Sequence, residues 1–153
     1  MNEPYITMNR QLEALAEGVD YPITILSNAS ALLFHTLDCL NWAGFYIMHD
    51  GLLKLGPFQG EVACVRIPVG RGVCGTAVAE DATQRVEDVH QFPGHIACDA
   101  KSNSEIVIPI HVHGEIYGVL DIDSPVLNRF SEEDQAGLEA FVQILEKSLS
   151  ELQ

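Results

Sequence analysis

Apolar residues recur at helical spacing at both ends of the chain. Near the N terminus we expect a first helix that begins at Thr7 and ends at Gly18, and its shared face is formed by Met8, Leu12 and Leu15. A second helix has a stronger apolar face, formed by Leu26, Ala29, Leu33, Leu37 and Leu40. A last helix is predicted from Ser131 onward, and its apolar face is formed by Leu138, Phe141, Val142, Leu145 and Leu149.

Between these helices, short apolar runs and turn residues predict strands. Aromatic and β-branched residues fill 41–49, and Asp50-Gly51 then marks a hairpin turn before a return strand at 52–55, which Gly56-Pro57 ends. Further strands are predicted at 61–68, 84–89, 106–110 and 116–122, the last two joined at His113-Gly114. The pattern predicts an α+β fold in one domain, residues 1–153, with a central antiparallel sheet and terminal helices packed on it.

A glycine motif follows the predicted strand at 61–68. Gly70, Gly72 and Gly75 match G-x-G-x-x-G and open a short helix, as in dinucleotide-binding units. Such a unit needs a buried strand, a long helix and a parallel partner strand, whereas this helix reaches Glu80-Asp81 after about two turns. The motif therefore predicts a tight turn over the sheet and not a dinucleotide site.

Composition narrows the classes of partner. The 153 residues carry 22 acidic and 8 basic side chains, a formal charge of −14, which would repel nucleic acid and anionic membranes. No apolar run approaches the roughly 20 residues that span a bilayer, and no signal peptide is visible, so we expect a cytoplasmic protein. Its four cysteines are then expected to be catalytic, redox-active, metal-binding or buried inert thiols, because reducing compartments disfavour disulfide frameworks.

The chemistry is expected to centre on Cys98, in a long polar loop over 90–103 that leads into a core strand. The thiols of Cys64 and Cys74 can reach the same end of the sheet as Cys98. Three converging thiols fit a nucleophile with resolving partners, or a zinc site. No C-x-x-C pair exists, and His111-x-His113 lies at a hairpin turn, so neither a metal nor a cofactor is predicted. The nearby cations His95 and Lys101 favour a Cys98 thiolate.

Carboxylates at the end of the last predicted strand are the second chemical feature. Asp121 and Asp123 are two residues apart and point to one face, which is costly unless they bind something; the alternative is a solvated strand end. A strict two-residue turn would place Glu105 opposite Ile122, on the other face. Either a bulge shifts this register by one, or Glu105 belongs to the loop, which is the alternative that we expect.

Trp42 and Tyr46 lie four residues apart on the first predicted strand and so share a face. They could wall a small pocket that attracts a methyl group on a polarised sulfur or a ligand ammonium. They could equally be ordinary core of the sheet.

Four segments together resemble the free methionine-(R)-sulfoxide reductases, small enzymes with the GAF fold. They are NWAGFYI, RIPVGRGVCGTA, HIACDAKSNSEIVIPI and GVLDIDSP, and the resemblance covers most of the chain from Trp42 to Phe130. The resemblance implies that Cys98 attacks sulfur and that Cys64 forms the resolving disulfide with Cys74 close by, although the division of work between Cys64 and Cys74 stays open. It also implies roles in substrate binding for Trp42, Tyr46, Glu105, Asp121 and Asp123.

The activity implied by this resemblance is reduction of free methionine-(R)-sulfoxide to methionine, with recycling by thioredoxin and a role in oxidative stress. A possible homodimer is expected from the resemblance and from the long apolar stripe of the last helix. The choice of epimer and of the free amino acid comes from the resemblance alone. The alternative from another class is a GAF-type sensor that binds a nucleotide or other small molecule without turnover. The thiols and acids favour the enzyme.

Overall fold

The computed structural model describes residues 1–95 and 100–152. Its helices lie mainly at the two ends of the chain. They are α1 (Tyr5–Ala16), α2 (Pro22–Thr36), α3 (Gly72–Glu80) and α4 (Glu132–Ser150), with one 3-10 turn at Val89–Gln91. The strands are β1 (Trp42–His49), β2 (Leu52–Gly60), β3 (Arg66–Pro68), β4 (Gln84–Val86), β5 (Ser104–Val112) and β6 (Glu115–Ser124).

The six strands form one antiparallel sheet in the order β3-β2-β1-β6-β5-β4. The two central strands, β1 and β6, come from different hairpins, so the sheet joins the two halves of the chain. The predicted α+β fold with a central antiparallel sheet is confirmed.

The two faces of this sheet are covered differently. One face packs against α2 and α4 through β-strand residues such as Phe45, Ile108 and Leu120, all at most 4 % exposed, and α1 packs on those two helices. The opposite face is covered by the short helix α3, and it carries a second cluster that includes Trp42, Tyr46 and Cys74. Because side chains alternate along a strand, the sheet separates a structural core from the face where the candidate chemistry lies.

The last helix begins as the sequence predicts. The Ser131 hydroxyl accepts a hydrogen bond from the Asp134 amide, and the Asp134 carboxylate accepts one from the Ser131 amide, which together form a capping box. The predicted apolar face is also confirmed, since Leu138, Phe141 and Leu145 are fully buried. This face packs on α1 and β5, so it is used within the chain.

Three expectations near the N-terminal half are wrong. The first helix starts at Tyr5 and not Thr7, and Leu15 is 43 % exposed because it points away from α4 and α2. Leu37 and Leu40 follow the end of α2, and the free thiol Cys39 lies there too, in an exposed turn with φ of 57°.

The return strand of the first hairpin is longer than predicted. It continues through Gly56-Pro57 to Gly60, with a bulge opposite Phe45, where the pairing shifts by one residue between Gly44 and Tyr46. β3 pairs only with 52–54 of β2, so Pro57 lies on a stretch of edge where its missing N–H costs no ladder bond. The predicted strand at 61–68 is correspondingly short, because only Arg66–Pro68 pair with β2.

None of the helices in the described residues has the length and apolarity that crossing a membrane requires.

Candidate active site

Two neighbouring strands place the aromatic and acidic candidates on the α3 side of the sheet. Trp42 pairs with Asp123, Gly44 with Asp121, and Tyr46 with Val119. Paired residues of antiparallel strands point to the same face, so both rings and both carboxylates line one side. The expectation that Asp121 and Asp123 share a face with each other is confirmed.

A bulge brings Glu105 to that same face. β5 and β6 follow the strict hairpin register up to His111 and Ile116, and then Ile110 pairs with Gly118, so that one extra residue stands in β6. Glu105 is thereby opposite Asp123 instead of Ile122, within the strand Ser104–Val112. The expectation that Glu105 belongs to the loop is wrong. The structure contains the alternative, a bulge that shifts the register by one residue.

The aromatic rings form a stacked wall. Trp42 and Tyr46 are stacked with ring centroids 5.8 Å apart, and Phe58 continues the stack at 5.1 Å from Trp42. The Trp42 Nε1–H donates to the Glu61 carbonyl at 3.1 Å, and the Tyr46 hydroxyl donates to the Cys64 carbonyl at 3.1 Å. These bonds satisfy the polar ends of both rings and hold segment 61–64 beside the wall.

Helix α3 covers the site on the face of the sheet that carries Trp42 and Tyr46. The predicted tight turn is confirmed, since Gly70 and Gly72 have φ of 88° and 64°, and Gly75 approaches the Pro68 carbonyl too closely for a Cβ atom. This turn places Cys74 on the buried side of α3, 3 % exposed.

A cavity of about 40 Å³ lies between α3 and the sheet. It brings together six of the eight predicted site residues: Trp42, Tyr46, Cys74, Glu105, Asp121 and Asp123. Cys64 does not line it, although the half-buried Cys64 packs on the same apolar cluster. Cys98 lies outside the described residues.

Burial and neighbouring charges shift the pKa values of the acids and the thiol that line the cavity. Burial, then the charges of Asp121 and Asp123, raise the pKa of Glu105 well above its usual value. Burial also raises the pKa of Asp121, while hydrogen bonds from Glu105 and Cys74 act in the opposite direction. For the Cys74 thiol, burial and the neighbouring acids raise the pKa, so this sulfur is held as a thiol that donates to Asp121.

The cysteines differ in state. Cys64 is disulfide-bonded, whereas Cys39 and Cys74 are free.

Lys101, one of the cations expected beside the nucleophile, forms an ion pair with Glu61 at 3.1 Å. His95 lines the cavity, and burial together with the charge of His90 lowers its pKa.

Sequence reasoning missed several lining residues, among them Arg71, Ser102 and Ala63. Arg71 is the N-cap residue of α3 and its side chain makes no cap hydrogen bond. It could have been found from the glycine motif, because a basic residue at a helix N terminus lies beside backbone N–H groups that attract anionic ligands.

The fold and this site together match the GAF domain family over residues 22–149. A GAF domain by itself does not specify an activity, since one fold carries many functions.

More specific relatives agree with one another. The chain is 59 % identical to the free methionine-R-sulfoxide reductase of Escherichia coli over 148 residues, which cover 97 % of this chain and 90 % of that protein. A structure of fRMsr of Staphylococcus aureus in complex with substrate superposes with a TM-score of 0.92 at 54 % identity, covering 97 % of both chains. The chain therefore belongs to the free methionine-R-sulfoxide reductase family.

A third relative extends this to another organism. The free methionine-R-sulfoxide reductase from Neisseria meningitidis, in complex with its substrate, superposes with a TM-score of 0.93 at 41 % identity. The match covers 97 % of this chain and 89 % of that chain. The family and the fold implied by the sequence resemblance are thus confirmed.

Proposed function

We propose that this chain reduces free L-methionine-(R)-sulfoxide to L-methionine through a thiol mechanism in the α3 cavity. The observation that carries the proposal is the meeting of Glu105, Asp121, Asp123 and Cys74 with the aromatic wall in one enclosed space. Family membership supports the substrate, because the relatives named above are free methionine-R-sulfoxide reductases, two of them with substrate bound.

The two sides of the cavity suit the two ends of the substrate. The rings of Trp42 and Tyr46 form the apolar side of the cavity, and they would hold the methyl group on the polarised sulfur. Arg71, beside the first amides of α3, offers positive potential for the substrate carboxylate. One ionised acid then pairs with the ammonium group.

A proton must reach the sulfoxide oxygen, because that oxygen is a poor leaving group. Glu105 is the best donor in the cavity, since it is 7 % exposed and its pKa is raised by burial and by two neighbouring acids. Asp121 and Asp123 are proposed as the anionic ligands of the substrate. The cluster thus supplies a proton donor and anionic ligands from the same residue type.

The proposed redox step has Cys98 as its nucleophile. The Cys98 thiolate attacks the sulfoxide sulfur, the donated proton goes to oxygen, and the products are methionine and a Cys98 sulfenic acid. A second thiol then condenses with the sulfenic acid, which forms a disulfide and releases water. The disulfide at Cys64, together with the free thiols at Cys39 and Cys74, supports Cys64 as the resolving residue.

Cys74 is proposed as the second thiol that lies close to the reaction. Its raised pKa and its hydrogen bond to Asp121 make it a poor nucleophile and a donor that orients that carboxylate. An external dithiol, for which we propose thioredoxin, returns the disulfide to two thiols by exchange. This cycle requires a reducing compartment, so we propose the cytoplasm as its location.

A coupled assay tests the activity. Free methionine-(R)-sulfoxide, thioredoxin, its reductase and NADPH should support NADPH consumption by the wild-type chain and by Cys39→Ser, whose thiol is exposed and does not line the cavity. Cys98→Ser should abolish turnover. Consumption by the wild type no faster than by Cys98→Ser would remove the enzyme interpretation and leave the small-molecule sensor.

The disulfide is tested separately from turnover. Reduced protein treated with stoichiometric sulfoxide and no reductant should lose two thiols, and peptide mapping should join Cys64 to Cys98. A product that joins Cys74 to Cys98 would assign resolution to Cys74, and three unmodified thiols would contradict the mechanism.

A homodimer is proposed from the family resemblance. The apolar face of α4 is buried within the chain, so a dimer would use other apolar residues such as Leu15, Tyr21 and Ile23, each more than 40 % exposed. Light scattering that gives the mass of one chain at working concentrations would exclude it.

A further inference from the structure

The cavity contains a set of atoms that the proposed reaction does not need in this arrangement. The Cys74 sulfur and one carboxylate oxygen each from Glu105 and Asp121 all lie within 4.8 Å of one another. Reduction of a sulfoxide by Cys98 requires the acids and gives Cys74 only the orienting role proposed above, which a hydroxyl group would fill as well as a buried thiol.

A second observation points to a missing interaction at the same place. Asp121 is 5 % exposed, and its Oδ1 atom is buried without a hydrogen-bond partner in the part of the chain that the structure describes. Buried carboxylate oxygens are normally satisfied, because an unpaired one loses its hydration without compensation. Asp121 lines the cavity, so this oxygen is presented to whatever enters it.

We propose that Cys74, Glu105 and Asp121 form a binding site for a thiophilic divalent cation of the Zn²⁺ class, and that the bound ion excludes the substrate. Exclusion of the substrate by the ion rests on the proposed function, whereas binding of the ion does not. The ion is an inhibitor in this proposal and not a cofactor.

The geometry suits such an ion. Zn–S bonds of about 2.3 Å and Zn–O bonds of about 2.0–2.2 Å place tetrahedral ligand atoms about 3.6 Å apart, so side-chain shifts of about 1 Å would close the site. Binding displaces the Cys74 thiol proton to solvent and leaves a thiolate ligand. A thiolate ligand favours Zn²⁺ and Cd²⁺ over Mg²⁺, which prefers oxygen and water.

Occupancy would affect the substrate pocket directly. The ion would neutralise the same carboxylates that are proposed to donate the proton and to pair with the substrate ammonium. Metal and amino acid therefore compete for one set of oxygens. A cell that releases zinc from other thiols during oxidation would slow this enzyme through Cys74.

The test uses a chain in which Cys74 is the remaining thiol. The triple variant Cys39→Ser, Cys64→Ser, Cys98→Ser is titrated with Cd²⁺, and the ultraviolet thiolate-to-cadmium charge-transfer band is followed. We expect a band that saturates at one Cd²⁺ per chain and is lost when Cys74→Ser is added. Competition by Zn²⁺, and none by equal Mg²⁺, should follow.

The carboxylates distinguish a built site from a lone thiol. Loss of even an outer-shell partner costs about 10- to 100-fold in metal affinity, so Glu105→Gln and Asp121→Asn in the triple variant should each weaken Cd²⁺ binding by at least about tenfold. Glu115→Gln, on the exposed start of the same hairpin, should leave it unchanged. Circular dichroism with thermal melting checks that each variant is folded.

No saturable band, or equal affinity after both carboxylate substitutions in folded protein, would overturn the proposal. Excess L-methionine should displace Cd²⁺ more than L-alanine does, since both chelate the ion in solution but only methionine fits the aromatic wall. A carboxylate-dependent band that methionine does not displace would uphold the metal site and count against the proposed substrate pocket.

Discussion

At the scale of single residues, the proposed mechanism depends on one carboxyl group with a raised pKa. Glu105 meets this requirement because it is buried and faces Asp121 and Asp123, so its pKa is raised well above the usual value. A carboxylic acid in such a position can donate a proton that an exposed glutamate would already have lost.

Glu105→Gln should therefore lower turnover by about 10²- to 10⁴-fold, the usual contribution of a general acid. In the wild type, turnover should fall as pH rises through the raised pKa of Glu105, and this limb should be absent from the residual activity of the variant. Glu115→Gln, an exposed acid on the same hairpin, serves as the control. Equal pH–rate profiles for wild type and Glu105→Gln would exclude Glu105 as the donor.

The same substitution should lower turnover but make the protein more stable relative to wild type as pH rises. A carboxyl with a raised folded-state pKa contributes stability that is present below its ordinary value of 4.5 and is lost as pH rises toward the folded value. Glutamine cannot ionise, so the unfolding free energy of Glu105→Gln relative to wild type should increase between pH 5 and pH 8. Urea unfolding at both pH values measures the difference, and a constant difference would contradict the shift.

At the scale of elements, the termini of helices and hairpins could be predicted, but strand register could not. Ser131 with Asp134, and the turns at Asp50-Gly51 and His113-Gly114, are local signals, and each forms as expected. The extra residue in β6 has no comparable local signal. Gly118, the residue that follows it, lies close to the Tyr46 backbone of β1, and that is a tertiary contact.

Register also explains why the site was only partly predictable. Counting from the hairpin turn correctly gives Asp121 and Asp123 one face, but it gives Glu105 the wrong one, because a single bulge reverses the parity of everything beyond it. Likewise, Pro57 suggests the end of β2 until the edge position of that stretch is known.

Gly118→Ala tests the packing at the bulge. A Cβ atom there would clash with the Tyr46 backbone oxygen, so β1 and β6 must separate. We expect a stability loss of more than about 1 kcal/mol and a fall in turnover per folded molecule. Ser131→Ala should cost about 1 kcal/mol through the lost cap without affecting turnover. Unchanged turnover in a folded Gly118→Ala would show that the site tolerates this shift.

A histidine connects three elements at the far end of the sheet. The His111 ring contacts Asp81, at the end of α3, at 2.7 Å and Glu146 of α4 at 3.3 Å. Burial alone would lower its pKa, but the hydrogen bonds and charges of these two acids raise it. Protonated His111 therefore helps to hold the C-terminal end of α3, the helix that covers the cavity.

His111→Gln should lose stability mainly at acidic pH. The contribution of a histidine with a raised pKa is fully present below its ordinary value of 6.5 and is lost as pH rises through the folded value. Its side chain is 41 % exposed, so solvent screening limits the effect to less than about 1 kcal/mol. Denaturation at pH 5.5 and pH 8.5 should show the larger deficit at pH 5.5, and the reverse order would refute the pairing.

At the scale of the whole molecule, 22 acids against 8 basic residues leave a formal charge of −14. Self-repulsion of this size destabilises the compact state, and salt screens it over a Debye length of about 30 Å at 0.01 M and about 10 Å at 0.1 M. The melting temperature should rise between these NaCl concentrations and then level off. A midpoint that falls over this range would mean that attractive ion pairs outweigh the repulsion.

The division of the sheet into two faces has a consequence for variation along β1. From Trp42 to Ile47, even-numbered positions face α3 and the cavity, whereas odd-numbered positions face the packed terminal helices. A saturation scan of this strand should therefore fall into two interleaved classes, one that loses catalysis while the protein still accumulates and one that loses abundance first. Natural substitutions that alter substrate preference would then be confined to alternate positions of the strand.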